Sequence, residues 1–151
     1  MHLVQRGLQI VDRVIVVLGV NPGKNPMLTA DERAGLVQKV FANEPRVTVE
    51  VYDGLLVNFL KMTGTRLVLR GLRTARDFED ELTMALTNRK LSPEVETLCL
   101  MTEEKDFCTS STVVRTLYRM GGEFEQFVPE QVAEYLRRRQ AKKHEPNPQA
   151  T

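Results

Sequence analysis

Arg70 and Arg73, separated by Gly71 and Leu72, follow directly on the apolar run of residues 67–69. A guanidinium is planar, permanently charged and carries donor pairs that match phosphate oxygens. Two of them at one strand end point to a polyphosphate, or to substrates that each carry phosphate. Gly71 is expected to let the chain turn sharply between them. The competing reading is a surface ion-pair cluster: Asp77, Glu79, Asp80 and Glu81 follow, and Arg73 to Asp77 has helical i,i+4 spacing. Two other features suggest the same chemistry. Lys24 sits in the Pro/Gly loop of residues 21–28, where a lysine meets either phosphate or solvent. Residues 109–112 read Thr-Ser-Ser-Thr at the start of a helix, whose free amides and positive dipole end favour an anion. Plain N-capping is the alternative there; it needs one such hydroxyl, and four stand in a row.

These groups must be positioned by alternating strands and helices. Leu3, Val4, Leu8 and Val11 fall at roughly helical spacing, and residues 13–20 form a β-branched run suited to a central strand. The Thr-Ala-Asp-Glu run at 29–32 is a capping box for a helix ending near Ala42. Val47, Val49 and Val51 alternate along a second strand. Residues 55–62 make a short helix closed by Gly64, and residues 67–69 make the third strand. From 76 to 90, Phe78, Leu82, Ala85 and Leu86 form a stripe expected to be buried. Asp77, Glu81, Met84 and Asn88 share the neighbouring face, from which polar groups project along a cleft. Residues 95–101 form a fourth strand with Cys99 as a core thiol. Gly121 and Gly122 end the helix opened at 109–112, and a last helix after Pro129 turns Val132, Tyr135 and Leu136 inward. The pattern is α/β, although a helix ahead of the first strand is unusual for that class.

A chain of 151 residues with 42% hydrophobic and 27% charged side chains suits one domain with a sizeable core. We expect it to span residues 1–139, with 140–151 as a basic, disordered tail. A net charge of +1 supplies no global field for nucleic acid or anionic lipid. The cations at 137–139, 142 and 143 lack interleaved aromatics, so neither partner is expected. No apolar run approaches the ~18 residues of a membrane span, and the start does not read as a signal peptide, which makes the cytoplasm the default location. Two cysteines and two distant histidines predict neither a disulfide framework nor a protein-ligated metal.

Four ordered motifs bring a known family into view: Lys24 with Pro26 and the 29–32 capping box, Arg-Gly-Leu-Arg at 70–73, Asp-Phe-Glu at 77–79 followed by Glu81 and Asn88, and Ser-Ser-Thr-Val-Val-Arg at 110–115. Over residues 3–136 the chain resembles the bacterial phosphopantetheine adenylyltransferases of the nucleotidyltransferase superfamily. The resemblance implies a Rossmann-like parallel sheet with helices on both faces, usually assembled as a hexamer. It implies transfer of the adenylyl group of MgATP to 4'-phosphopantetheine, giving dephospho-coenzyme A and pyrophosphate in coenzyme A biosynthesis, with Mg²⁺ carried on ATP. Lys24 and Arg70 would hold the acceptor phosphate, with Leu55, Leu56 and Asn88 near the pantetheine arm. Gly71, Leu72, Arg73, Glu81 and the loop Lys105, Asp106, Phe107, Cys108, Thr109, Ser110, Ser111 would hold ATP. Lys24 and Arg73 would carry the catalytic role.

The sequence departs from the family in three places. The family opens with a strand and a loop of the form G-T-F-D-P-x-T-N-G-H, and residues 1–151 contain no such segment. His2 stands four residues before Arg6, where the family spacing is six, so the catalytic histidine is not carried onto it. Gly54 replaces an acidic or hydroxyl residue, and Lys105 replaces an aromatic. Without the first strand, its neighbours are expected either to show unpaired edges or to close on each other. A truncated version of a complete enzyme is the leading expectation. The alternatives are transfer to another phosphorylated acceptor such as nicotinamide mononucleotide, and a non-catalytic remnant that binds nucleotide or coenzyme A.

Overall fold

The computed structural model describes residues 1–20, 23, 26–102 and 110–144, with backbone alone for 142–144. Lys24, Lys105, Asp106, Phe107, Cys108, Thr109 and residues 145–151 lie outside the described residues. The chain forms two compact units, Met1–Cys108 and Thr109–Thr151.

The first unit runs α1 (His2–Gly7), β1 (Val14–Gly19), α2 (Ala30–Val40), β2 (Val47–Tyr52), α3 (Leu56–Thr63), β3 (Leu67–Leu72), α4 (Ala75–Leu91) and β4 (Glu96–Met101). This is the expected α/β alternation. The strands are rich in Val, Ile and Leu and pair in parallel, β1 with β2 from Val14↔Val47 to Gly19↔Tyr52 and β3 with β4 from Leu67↔Glu96 to Leu72↔Met101. Helix α2 packs on β1 and β2, α1 on β3, and α4 on β3 and β4. Its start is fixed as the sequence implied: the Thr29 hydroxyl accepts from the Glu32 amide at 3.1 Å, and the Glu32 carboxylate accepts from the Thr29 amide at 2.7 Å. Gly64 ends α3 at φ 67, a left-handed cap that a side chain would disfavour. Leu60, Val68 and Val95 make a buried cluster, with Leu56 packed against it.

The two pairs do not join. Among the described residues the parallel strands form two two-stranded sheets, β1–β2 and β3–β4. A slot of about 1100 Å³ lies between them, lined by Ile15 and Val17 on one side, Leu67 and Leu69 on the other, and Leu3 and Gly7 of α1. Of the two outcomes expected without a first strand, unpaired edges and not closure is the one found. The ladders identify the groups concerned. Val14 and Val20 donate N–H groups to Arg46 and Tyr52 of the β2 side, while the Arg66 and Leu72 carbonyls accept from Glu96 and Thr102 of the β4 side. In a parallel ladder alternate residues serve opposite neighbours. Ile15, Val17 and Gly19 therefore turn their amides to the slot, as do Leu67, Leu69 and Gly71. Hydrogen exchange should show this alternation directly: these six amides exchange fast, while those of Val16, Leu18, Val68 and Arg70 exchange slowly. Uniform protection along either strand would mean that the slot is closed in solution.

Two sequence expectations are corrected here. Gly71 is not the turn: β3 continues extended through it to Leu72, and Gly71 is not among the positive-φ glycines. It is small because α1 passes close by; a Cβ there would stand 3.2 Å from the Leu3 side chain and 3.4 Å from that of Thr102. Cys99 is exposed and not a core thiol. Among the described residues strand β4 has a strand neighbour only on its β3 side, and an apolar run does not distinguish such an edge strand from a covered one.

The second unit contains α5 (Ser111–Met120), a 3-10 turn (Glu125–Phe127) and α6 (Glu130–His144). Gly121 caps α5 in the left-handed region at φ 72. Val114, Tyr118, Phe124, Ala133 and Leu136 are buried, and the Tyr118 and Phe124 rings meet edge-on at 5.7 Å. The last helix extends to His144, five residues past the expected domain end at 139. Arg137 is paired with Glu125 at 3.0 Å and Glu130 at 3.3 Å, so part of the basic run is neutralised within this unit.

Candidate phosphate-binding strand end

Strand β3 carries Arg70 and delivers Arg73 just past its last residue, at the C-terminal end of the parallel sheet, where open α/β folds bind ligands. Gly71 and Leu72 lie between them in the strand, Leu72 buried. The end is tied to β4 through Thr102, whose amide and hydroxyl both donate to the Leu72 carbonyl, at 2.9 and 3.2 Å. Helix α1 is fastened there too: an Arg6 guanidinium N–H donates to the Met101 carbonyl.

Helix α4 then presents a carboxylate to each arginine. Glu81 lies 3.2 Å from Arg70 Nε, and Asp77 Oδ2 lies 3.2 Å from Arg73 Nε. Phosphate binding and an ion-pair cluster are rival readings of this stretch; the arginines are ion-paired, and they lie at the strand end where open α/β folds bind ligands. All four side chains are between a quarter and two-fifths exposed, so the pairs are solvent-screened and act more through orientation than through strength.

Helix α4 turns most of its apolar stripe outward, against the sequence expectation, with Ala85 of that stripe half-buried and Met84 of the neighbouring face 45% exposed. Phe78, Leu82 and Leu86 are 51%, 44% and 57% exposed, whereas Asn88 is buried and Asp77, Glu81 and Ala85 are half-buried. Asp77 and Glu81 pair with Arg73 and Arg70 on the strand-end side, and Ala85 and Asn88, at i+8 and i+11 from Asp77, lie on that same side of the helix.

One signal was overlooked. Thr-Ala-Arg-Asp at 74–77 satisfies the capping-box pattern, and the structure uses it: the Thr74 hydroxyl accepts from the Asp77 amide at 3.1 Å, while Asp77 Oδ2 accepts from the Thr74 amide at 3.3 Å. Asp77 Oδ2 also accepts from the Arg73 amide at 2.9 Å. That backbone bond, with smaller help from the Arg73 guanidinium, holds the Asp77 carboxyl below its ordinary 3.8, against the opposing effect of desolvation. A carboxylate with a depressed folded pKa stabilises the fold above its unfolded pKa and loses that contribution as pH falls through the folded one. The α4 start should therefore be intact above about pH 4 and fray in stronger acid. Amide shifts of Ala75 and Arg76 followed through an acid titration check this; fraying that begins near neutrality would contradict it.

The remaining predicted residues fall as follows. Leu55 is the exposed N-cap residue of α3, and Leu56 lines the slot between the sheets. Ser110 caps α5, its hydroxyl accepting from the Val113 amide at 3.2 Å, and Ser111 is the first residue of that helix. Both belong to the second unit. Lys24 and residues 105–109 are outside the described residues. Among the described residues no three His, Cys, Asp or Glu side chains cluster as a metal site. Asp77 and Glu81 are each engaged with an arginine. No helix among the described residues is long and apolar enough to cross a membrane.

A parallel α/β unit whose strand end offers two arginines, backed by a capped helix, is of the class of open α/β folds suited to phosphorylated ligands. A family model described as cytidylyltransferase-like matches residues 1–117. The phosphopantetheine adenylyltransferase of Anaeromyxobacter sp. (strain K) is 44% identical over 137 residues, which cover 91% of this chain and 84% of that relative. The protein of the same name from Nitratidesulfovibrio vulgaris (strain DP4) is 40% identical over 146 residues, covering 97% and 78%. The one from Alkaliphilus metalliredigens (strain QYMF) is 40% identical over 134 residues, covering 89% and 85%. The chain belongs to the cytidylyltransferase-like family and, within it, to the phosphopantetheine adenylyltransferases.

Proposed function

We propose that this chain transfers the adenylyl group of MgATP to 4'-phosphopantetheine, releasing pyrophosphate and dephospho-coenzyme A, and does so in the cytoplasm as a homo-oligomer. The observation that carries the reading is the strand end with Arg70 and Arg73 three residues apart, each aligned by a carboxylate of α4. Arg70, with Lys24, takes the acceptor phosphate; Arg73 takes the triphosphate. Attack by one phosphate oxygen on the α-phosphorus requires no protein nucleophile. The protein has to align two anions in line and stabilise the charge that develops, which cationic side chains and backbone amides do. Mg²⁺ arrives as part of the substrate MgATP and neutralises phosphate charge there.

Incubating the protein with MgATP and 4'-phosphopantetheine should release pyrophosphate, and nicotinamide mononucleotide offered side by side should release far less. Equal release from both acceptors would favour the broader transferase. Tight ATP binding without any product would favour the non-catalytic remnant.

The exposed stripe of Phe78, Leu82 and Leu86 supports self-association, because so much contiguous apolar surface on one helix is disfavoured in a monomer. A hexamer is the expected form. Sedimentation velocity should give a mass several times that of the 17.2 kDa chain, and Leu82→Lys should reduce it. A monomer at micromolar concentration would overturn the assembly.

A further inference from the structure

Asp77 does more at Arg73 than a helix cap requires. The capping box accounts for its bonds with Thr74. The same oxygen, Oδ2, also receives the Arg73 amide at 2.9 Å and Arg73 Nε at 3.2 Å. One carboxylate oxygen therefore grips both the backbone and the guanidinium of Arg73, which fixes the position of the residue and the plane of its donor fork together. Asp77 is itself held by the helix backbone, as the third residue of α4, whose first turn closes with the Phe78 amide on the Thr74 carbonyl. Rigid backbone thus stands behind the arginine, with one short side chain between.

We propose that Asp77 is a positioning residue, which sets the orientation of the Arg73 guanidinium for the ATP phosphates. The proposal rests on the reading that Arg73 meets ATP. A long arginine side chain gives up rotamer freedom when it engages a ligand, and an alignment completed beforehand removes that loss from the binding step. The alignment matters more for arginine than for lysine, because a planar fork matches a phosphate in few orientations.

The alternative is that the grip is only a local structural device. The molecule provides its own comparison: at the opposite end of the strands, Glu44 Oε1 receives both the Arg46 amide at 3.2 Å and Arg46 Nε at 2.9 Å. The grip recurs, and only the one at Arg73 stands where the ligand phosphates are expected.

Three variants of the full chain separate the roles. Asp77→Asn keeps an oxygen that can accept from the Thr74 amide but removes the charge that aligns the guanidinium. Thr74→Ala removes the cap hydroxyl and leaves the carboxylate on Arg73. Glu44→Gln breaks the equivalent grip at the far end. ATP and 4'-phosphopantetheine affinities are read by calorimetry, and stability by thermal unfolding. Asp77→Asn should weaken ATP about 10-fold, with Tm lowered no more than by Thr74→Ala and with affinity for 4'-phosphopantetheine unchanged, a loss typical of one charge-assisted contact. Thr74→Ala should lower Tm and leave ATP affinity in place, and Glu44→Gln should leave it in place too. Asp77→Asn binding ATP like the unmodified chain would overturn the proposal, as would ATP affinity falling in step with Tm in all three variants. If the unmodified chain failed to bind ATP, the reading of Arg73 would fail first, and the positioning role with it.

Discussion

Arg70→Ala is expected to weaken binding of 4'-phosphopantetheine about 10- to 100-fold, the worth of a hydrogen bond to a charged group at roughly 1.5–3 kcal/mol. Two effects add. The acceptor phosphate loses a donor fork, and Glu81, 3.2 Å from Arg70 Nε in the intact protein, is left without that cation beside the incoming anion. Arg70→Lys should recover only part of the loss, because an ammonium restores charge without the planar pair of donors. The double variant Arg70→Ala/Glu81→Gln should bind better than Arg70→Ala alone, since the orphaned negative charge is gone. Strand β3 keeps its pairing with β4 throughout, as its ladder uses backbone groups. Calorimetric titration measures all three. An affinity unchanged in Arg70→Ala would remove this arginine from the site.

Leu60→Ala is the largest stability loss we expect, about 2–5 kcal/mol, as for a well-packed core leucine. Leu60 is 4% exposed and packs with Val68 and Val95, the first in β3 and the second just ahead of β4, so one truncation loosens the support of both strands. Each sheet has only two strands among the described residues, so few other contacts take up the loss. A domain of this size is stable by only about 5–15 kcal/mol, and the change is a large fraction of it. Urea unfolding should show a lower midpoint at constant m-value. A loss under about 1 kcal/mol would show that this cluster is not the core of the first unit. Because Val68 stands two residues before Arg70, the same variant should also blur the arginine geometry.

Elements defined by local chemistry were readable in the sequence. The Thr29–Glu32 capping box, the Gly64 and Gly121 caps and the β-branched strands depend on neighbours within a few residues, and they form where the sequence placed them. That Arg70 and Arg73 share one strand end was readable for the same reason, since a strand followed by a capped helix brings its end residues together. Tertiary choices were not readable. Periodicity showed that α4 has an apolar and a polar stripe but not which one faces the sheet; the side carrying Asp77 and Glu81 is the one turned to the strand end. Gly71 was read as a turn because glycine permits one, whereas its role is to admit Leu3 of a helix about 65 residues earlier in the chain. The exposure of Cys99 follows from how many strands flank β4, which no single run of residues encodes.

The central claim is that one strand end meets two phosphorylated substrates through two neighbouring arginines. The most direct measurement is NMR of the arginine side-chain Nε–H resonances while 4'-phosphopantetheine and then MgATP are titrated into the protein. The Arg70 resonance should shift with the first ligand and the Arg73 resonance with the second, each saturating with its ligand, while Arg46 at the far end of the strands stays still. Saturable binding of both ligands with Arg70 and Arg73 unmoved would contradict it.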